Sequence, residues 1–254
     1  MRIAVAGGTG VCGSYVVAAA RAAGHDVSIL SRANGIDLLV DTGLYDALRD
    51  VEVIVDATNP ATTNGSKASA FFEDVTGRLQ RIGARAGVGR LVTLSIVGID
   101  RASGFGYYAA KLRQERAAQL GPVRSTVVRA TQFFEFPAQV VARTKVGAVA
   151  LVPVMRSQPI AARSLGHVLV GIATAPPGDG MIEVAGPRQE DVVSMARRVI
   201  KHRGRRIRVV PARLPGVYGR AFRGGALLPS ASATLAGPTF DAWLTTEDSA
   251  SPSF

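Results

Sequence analysis

The sequence predicts an α/β protein, with a doubly wound parallel sheet covered by helices and a small C-terminal cap. Three observations carry this. Short apolar runs recur at 2–6, 26–31, 51–56, 90–95 and 125–129. Helical patterns lie between them, an alternation that argues for a parallel sheet covered on both faces. A glycine-rich turn joins the first run to the first helical pattern.

In chain order, a strand at 2–6 leads to a helix at 11–23 that Gly24 stops. A strand at 26–31 and a short helix at 42–49, capped by Asp41 or Thr42, come next. The strand at 51–56 gives way to a loop, a helix from 66 to 86, and a strand at 90–95. After a loop at 98–106, a helix at 107–120 ends at Gly121-Pro122. The strand at 125–129 completes the first half, and 1–136 reads as the core. Residues 137–254 read as a cap packed on it within the same structural domain. There we expect a helix from Pro137, irregular or strand structure through 148–162, and a helix at 164–174 ended by Pro176-Pro177-Gly178. A strand at 181–185, a helix at 189–203 and a strand at 206–210 follow. Thr245 to Phe254 lack an apolar pattern and are expected to fray.

Composition narrows the function classes. A 47% hydrophobic and 19% charged chain is not disordered. A single cysteine, Cys12, leaves no intrachain disulfide and no thiolate cluster, so a reducing compartment is the expectation. His25, His167 and His202 lie far apart, which calls for no metal. The first residues read as a strand and not as a signal peptide. The longest uncharged stretches contain Pro or Gly and fall short of a membrane span. The expectation is a cytoplasmic, soluble chain with no membrane partner, a monomer or homodimer. Net charge is +11, but only four of the 30 basic residues are Lys. The dense cluster at 201–208 reads as a solvated helix end and a surface strand, not as a nucleic-acid site.

The turn is Gly7-Gly8-Thr9-Gly10-Val11-Cys12-Gly13. A residue without Cβ suits the turn, a second glycine lets a pyrophosphate approach backbone N–H groups, and a third lets the helix pack tightly on the strand. The helix N-terminus adds partial positive charge. This predicts a dinucleotide site of Rossmann type, with Gly7, Thr9, Gly10, Val11 and Gly13 as contacts. Cys12 in the first helical turn is either a redox sensor or a small residue filling a tight site. At the carboxyl end of the strand at 26–31, where an NAD-binding unit carries an acidic residue, stand Ser31 and Arg32; Asp26 is at the wrong end. Arg32 pairing with a 2′-phosphate and Ser31 donating to it predict NADP(H). Tyr107 and Lys111 are four apart on a helix and share a face near the carboxyl edge of the sheet. Lys111 paired with Glu115 on the surface is the alternative, and Tyr108 is the weaker tyrosine. Gln132, Phe133 and Phe134 lie at the sheet edge. There an aromatic wall would suit an apolar or aromatic carbonyl compound or a quinone, and ordinary core filling is the equal alternative.

These features resemble the short-chain dehydrogenase/reductase superfamily, and within it the atypical NmrA-like, NAD(P)H-binding branch. The resemblance rests on the Gly7-to-Gly13 loop, Val55-Asp56-Ala57-Thr58-Asn59, Leu94-Ser95-Ile96-Val97-Gly98-Ile99-Asp100, Tyr107-Tyr108-Ala109-Ala110-Lys111 and Val128-Arg129-Ala130-Thr131-Gln132-Phe133. Weaker similarity runs through 157–162 and 183–187. It implies that Ala57, Thr58 and Asn59 also line the cofactor. It further implies that Tyr107 is the general acid, and that Lys111 holds the nicotinamide ribose and lowers the Tyr107 pKa. Ser95 would hydrogen-bond the substrate carbonyl, although its 12-residue distance from Tyr107 is one short of the usual spacing, so backbone groups of Val97 or Gly98 are the alternative. Ser164 stands where members often carry Asp in the cap. The 118 residues beyond Phe136 read as few for a nucleotide-sugar epimerase cap. The expected function is NADP(H)-dependent reduction of a carbonyl or quinone-type small molecule. The alternative is a catalytically silent NADP(H)-binding redox sensor.

Overall fold

In the middle of the sheet, apolar side chains alternate strictly between two helical layers. The computed structural model describes residues 1–62, 64–176, 178 and 180–246. Strands β1 (Arg2–Ala6), β2 (Asp26–Leu30), β3 (Val53–Asp56), β4 (Arg90–Ile96) and β5 (Ser125–Ala130) are joined by β9 (Gly180–Ala185) and β12 (Thr234–Leu235). All pair in parallel, in the order β12-β9-β5-β4-β3-β1-β2. Ile3, Val5, Val53 and Val55 face α1 (Val11–Ala22) and α6 (Ala162–Thr174). Ala4, Ala6, Ile54 and Leu91 face α3 (Gly65–Arg85) and α4 (Gly106–Leu120), with α2 (Leu44–Ala47) at the edge. Burial on both faces explains why the strands read as continuous apolar runs. The order reverses at β1, which has β2 on one side and β3 on the other. A ligand crevice of a doubly wound sheet opens at such a point, beyond the strand carboxyl ends.

The remaining elements form the cap. A three-stranded sheet orders β11 (Arg208–Ala212), β7 (Val149–Pro153) and β6 (Lys145–Val146), and a two-residue pair joins β8 (Arg156–Ser157) to β10 (Glu190–Asp191). Around them lie α5 (Phe136–Thr144), α7 (Val192–His202), α8 (Gly216–Gly224) and α9 (Phe240–Leu244).

The division at residue 136 does not follow the layers. Residues 162–185 and 234–235 return to the core, where α6 packs on α1 and β9 extends the sheet beyond β5. Gly166 permits the α6–α1 contact, since a Cβ there would stand 2.8 Å from the Tyr15 carbonyl carbon. Ser164, expected in the cap, therefore lies in a core helix. Buried Arg90 donates to the carbonyls of Ile172 (2.7 Å) and Ala175 (3.2 Å), satisfying the α6 C-terminus. The sequence credits the end of α6 to Pro176-Pro177-Gly178, of which Pro177 is outside the described residues. α7 starts at Val192, later than expected, because Asp191 caps it by accepting from Ser194 N (2.9 Å). The expected strand at 206–210 lies two residues later, in register with β7. The elements α8, β12 and α9 fall where the sequence assigned none. Of the segment expected to fray, residues 247–254 lie outside the described residues.

Helix α4 is held to the sheet by polar groups that are buried. Asp56 accepts from Thr58 N (3.0 Å), Thr58 Oγ1 (2.6 Å), Thr76 Oγ1 (3.2 Å) and Gln114 Nε2 (2.9 Å). Gln114 Oε1 accepts in turn from Lys111 Nζ (2.5 Å), which also donates to the Leu94 carbonyl (2.6 Å) and lies over the Phe72 ring (4.6 Å). One residue along the helix, Glu115 takes both prongs of the Arg129 guanidinium (2.8 Å each) and the Ser95 hydroxyl (2.5 Å). Arg129 also reaches Asp100 (3.0 Å). Each buried polar group here has a partner, as burial requires.

Burial pushes the Lys111 ammonium down to about 8, against the opposing pull of Asp56 and Glu115. Between that value and the ordinary 10.5, the unfolded chain binds more protons than the folded one. Stability therefore rises with pH in this window. Relative to Lys111→Met, the wild type should gain roughly 2–3 kcal/mol between about pH 7 and about pH 10. Urea denaturation of both proteins at the two pH values reads this; a pH-independent difference would show that Lys111 is not a desolvated cation.

Candidate active site

The glycine turn is built by backbone contacts that exclude side chains. Gly7 has φ +74°, which favours glycine. A Cβ on Gly13 would overlap the Gly7 carbonyl oxygen, and one on Gly7 would stand 2.9 Å from the Ala57 carbonyl oxygen. Gly10 N donates to Gly7 O (2.9 Å) and closes the turn. The two loops at the reversal point, 7–13 after β1 and 57–59 after β3, thus touch backbone to backbone. Helix α1 begins with no side-chain cap and no acidic residue in its first turn. Thr9, Gly10 and Val11 are exposed there. The structure thus joins the predicted loop to an uncapped helix N-terminus, an arrangement suited to an anion.

Cys12 is buried, and burial pushes its thiol up to about 12. It is a neutral core group, which removes the redox-sensor alternative, since the reactive form is the thiolate. Ser31 donates to Asn34 Oδ1 (2.7 Å) at the head of a short 3-10 turn over Arg32–Asn34, and Arg32 is exposed at the carboxyl end of β2. The Ser31 hydroxyl is therefore committed within the chain, while the Arg32 guanidinium faces solvent. Thr58 is buried and gives its hydroxyl to Asp56. Ala57 and exposed Asn59 are the members of that loop nearer the crevice.

Tyr107 stands at the N-terminal end of α4, where Gly65 and Gly106 bring α3 and α4 into backbone contact. A Cβ on Gly65 would lie 2.9 Å from Gly106 Cα. This draws the 57–59 loop close, and the Tyr107 hydroxyl donates to Asn59 Oδ1 (2.7 Å). Tyr108 instead packs into the cap among Phe105 and Phe222. Burial pushes the Tyr107 phenol up to about 12. The lowering expected from Lys111 is absent, because the ammonium is directed at Leu94 O and Gln114. The surface alternative for Lys111 fails as well: Lys111 and Glu115 are both buried, and Glu115 pairs with Arg129. Ser95 is 2% exposed and gives its hydroxyl to Glu115, so the structure does not bring it to Tyr107. Gly98, the alternative, has φ +73° and lies against the cap, where a Cβ would overlap the Ala226 carbonyl oxygen.

Of the substrate candidates, Phe134 is buried against Phe240 and Trp243 and is core. Gln132 Oε1 accepts from Ser157 Oγ (2.6 Å). Phe133 is half-buried and bridges to Ile160. The core-filling alternative holds for Phe134. The partners that sequence reasoning missed were Asn59 for Tyr107 and Glu115 for Arg129. The signal for the second was an Arg within an apolar strand, with a Glu on the helix that precedes it.

Among the described residues no group of three or more His, Cys, Asp or Glu could hold a metal ion. No helix is long and apolar enough to cross a membrane. A shallow depression of about 470 Å³ between Arg101 and the 221–229 segment includes none of the candidate residues.

No protein-family model and no curated protein matches this sequence. Solved structures do match in fold. MoeE5 in complex with UDP-glucose and NAD superposes with a TM-score of 0.75 at 16% identity, over 98% of this chain and 97% of that one. An NADPH-dependent quinone oxidoreductase from Escherichia coli, complexed with NADPH, gives 0.72 at 15% identity, over 96% and 98%. The Citrobacter sp. triphenylmethane reductase complexed with NADP(H) gives 0.69 at 12% identity, over 95% and 98%. The near-complete coverage of MoeE5 corrects the inference from length: a C-terminal part of this size occurs in a chain that binds a sugar nucleotide. The seven-stranded parallel sheet and its flanking helices are a Rossmann-type fold that this chain shares with these dinucleotide-bound structures.

Proposed function

We propose that this chain is an NADP(H)-dependent oxidoreductase reducing a carbonyl or quinone-type small molecule, with Tyr107 as general acid. The observation that carries the reading is the glycine turn set against the uncapped N-terminus of α1 at the reversal point of the sheet. The residues fit a dinucleotide: the glycine turn leaves Thr9, Gly10 and Val11 exposed at an uncapped helix start, and no carboxylate stands in the first helical turn. Gly7, Thr9, Gly10, Val11 and Gly13 would hold the diphosphate, Arg32 the 2′-phosphate, and Ala57 and Asn59 the adjoining part. The bound dinucleotide supplies a hydride. The likeness to an NADPH-dependent quinone oxidoreductase supports this substrate class.

The chemistry left to the protein is delivery of a proton. With its pKa pushed up to about 12, Tyr107 keeps its phenolic hydrogen at neutral pH, and Asn59 accepts it until a substrate oxygen takes its place. Lys111 acts at one remove, fixing α4 and with it the tyrosine. Ser95 lies inside that support and not at the reacting atoms.

A silent NADP(H)-binding sensor is the second reading, and the commitment of Ser95 and Lys111 to buried partners favours it. The two part on turnover of NADPH with a panel of aldehydes, ketones and quinones.

Arg32→Asp should weaken NADPH binding by about 2–4 kcal/mol, since it removes a charge-assisted contact and adds a like charge. NADH binding should change far less. Calorimetric titration with both cofactors decides, and equal weakening overturns the NADP(H) assignment. Tyr107→Phe should lower kcat by roughly 10²–10⁴-fold and leave NADPH affinity nearly unchanged, with Tyr108→Phe close to wild type. Full activity in purified Tyr107→Phe would rule the tyrosine out as proton donor.

A further inference from the structure

The net charge of the chain is confined to one part of it. Residues 136–240 hold 15 basic and four acidic residues, while the remainder holds 15 of each. All of the +11 therefore sits on the segment that builds the cap, together with α6 and β9. Within the cap the charge has a focus. Lys201, Arg205, Arg206, Arg208 and Arg213 are exposed on α7, on the turn after it, and on and just beyond β11. Among the described residues none of these five is in an ion pair. Like charge adds up here: burial first, and Arg205 beside it second, push the Arg203 guanidinium below its ordinary value.

Beside this focus the cap sheet presents an unpartnered apolar face. Register pairs Val146 with Val149, Val149 with Arg208, and Leu151 with Val210. Paired residues point to the same side of a sheet. The side opposite, formed by Ala150, Val152 and Val209, is buried in the cap core. The outward side leaves Val146 81%, Leu151 51% and Val149 39% exposed. The hairpin tip from Lys145 to Val149 is exposed throughout and turns at Gly147. Aliphatic side chains on a projecting tip thus adjoin a row of arginines.

We propose that this face of the cap docks on an anionic lipid surface, with the 145–149 hairpin and Leu151 entering the interface and the 201–213 cations meeting the headgroups. The combination of chemistries selects the occupant. Phosphates attract the cations, but a nucleic-acid backbone offers nothing to Val146 and Leu151, whereas the headgroup–acyl boundary takes both. A second copy of the chain would bring the same positive field against itself. The placement goes beyond the catalytic reading and does not depend on it.

The test uses the full chain, co-sedimented with vesicles of phosphatidylcholine alone or mixed with phosphatidylglycerol. Binding is expected only with phosphatidylglycerol, and it should fade as salt rises. Arg206→Glu/Arg208→Glu should weaken it at least about tenfold, at on the order of 1 kcal/mol per cation near the surface. Arg116→Glu, an exposed arginine on α4, should change it little. Val146→Ser/Leu151→Ser should weaken it several-fold at constant charge. Circular dichroism and urea denaturation check that each variant is folded. Absence of binding to phosphatidylglycerol vesicles overturns the proposal. So does tighter binding to an RNA or DNA oligonucleotide that the serine variants leave unchanged, which would make the face a nucleic-acid site. A dimer that the serine variants dissociate would assign the face to a second copy.

Discussion

Lys111, Gln114 and Glu115 project from one helix into the interior beside the sheet, where water cannot satisfy them. Each must find a protein partner, and the partners lie on three strands. Asp56 ends β3, Leu94 and Ser95 are in β4, and Arg129 is in β5. The helix therefore has essentially one position. Sliding it by a turn would part Glu115 from Arg129 and leave the carboxylate an uncompensated buried charge, and breaking such a pair costs roughly 3–5 kcal/mol. An apolar interface of the same area would tolerate a range of offsets. This polar one fixes a register, and the open end of the sheet inherits it.

The position of α4 decides which of its residues reach the crevice. Tyr107 lies one turn before Lys111 and sits where the helix leaves the sheet, so its hydroxyl meets the loop after β3. Lys111 is deeper and is claimed by Leu94 and Gln114. Phe72 touches both, lying beneath the ammonium and edge-on to the tyrosine ring. One face of one helix thus carries a group at the crevice and a group that holds the helix in place. Spacing of four residues establishes a shared face and not a shared environment. Glycine does the corresponding work where α3 and α4 begin. The Gly65–Gly106 contact lets two helix starts converge, which brings Asn59 within reach of a residue far along the chain.

How far the sequence could be read follows from the range of each constraint. The parallel sheet and the Gly7–Gly13 turn depend on local features: apolar runs, helical periods, and three glycines whose reasons are steric. These were legible. Cys12 was half legible, because its place in a first helical turn says nothing of how completely Val16, Val17 and the sheet cover it. The roles of Lys111, Ser95 and Glu115 were not legible, since each depends on which distant polar group lies opposite. The aromatic run at 132–136 illustrates the same limit. Phe134 is core because Phe240 and Trp243 of the five-residue α9 pack edge-on and tilted against it, and so short a helix leaves no periodicity to detect. The return of β9 and α6 to the core, after the chain has begun the cap, is likewise a long-range feature that no local pattern announces.

That return also fixes the segment that follows α8. Arg101, in the turn after β4, donates to the carbonyls of Ala226 (2.9 Å) and Leu228 (2.8 Å). The missing side chain of Gly98 lets the same segment lie directly on the β4 loop. Beyond it, Ser230 N donates to Glu183 of β9 (2.7 Å), and the chain then enters β12 at the sheet edge. The 225–235 segment is thus tied at three points to the strands that bound the crevice. Side-chain-to-backbone bonds of this kind need no ligand to form. The junction between cap and sheet is therefore ordered by the chain itself, and no ligand has to meet the entropic cost of ordering it.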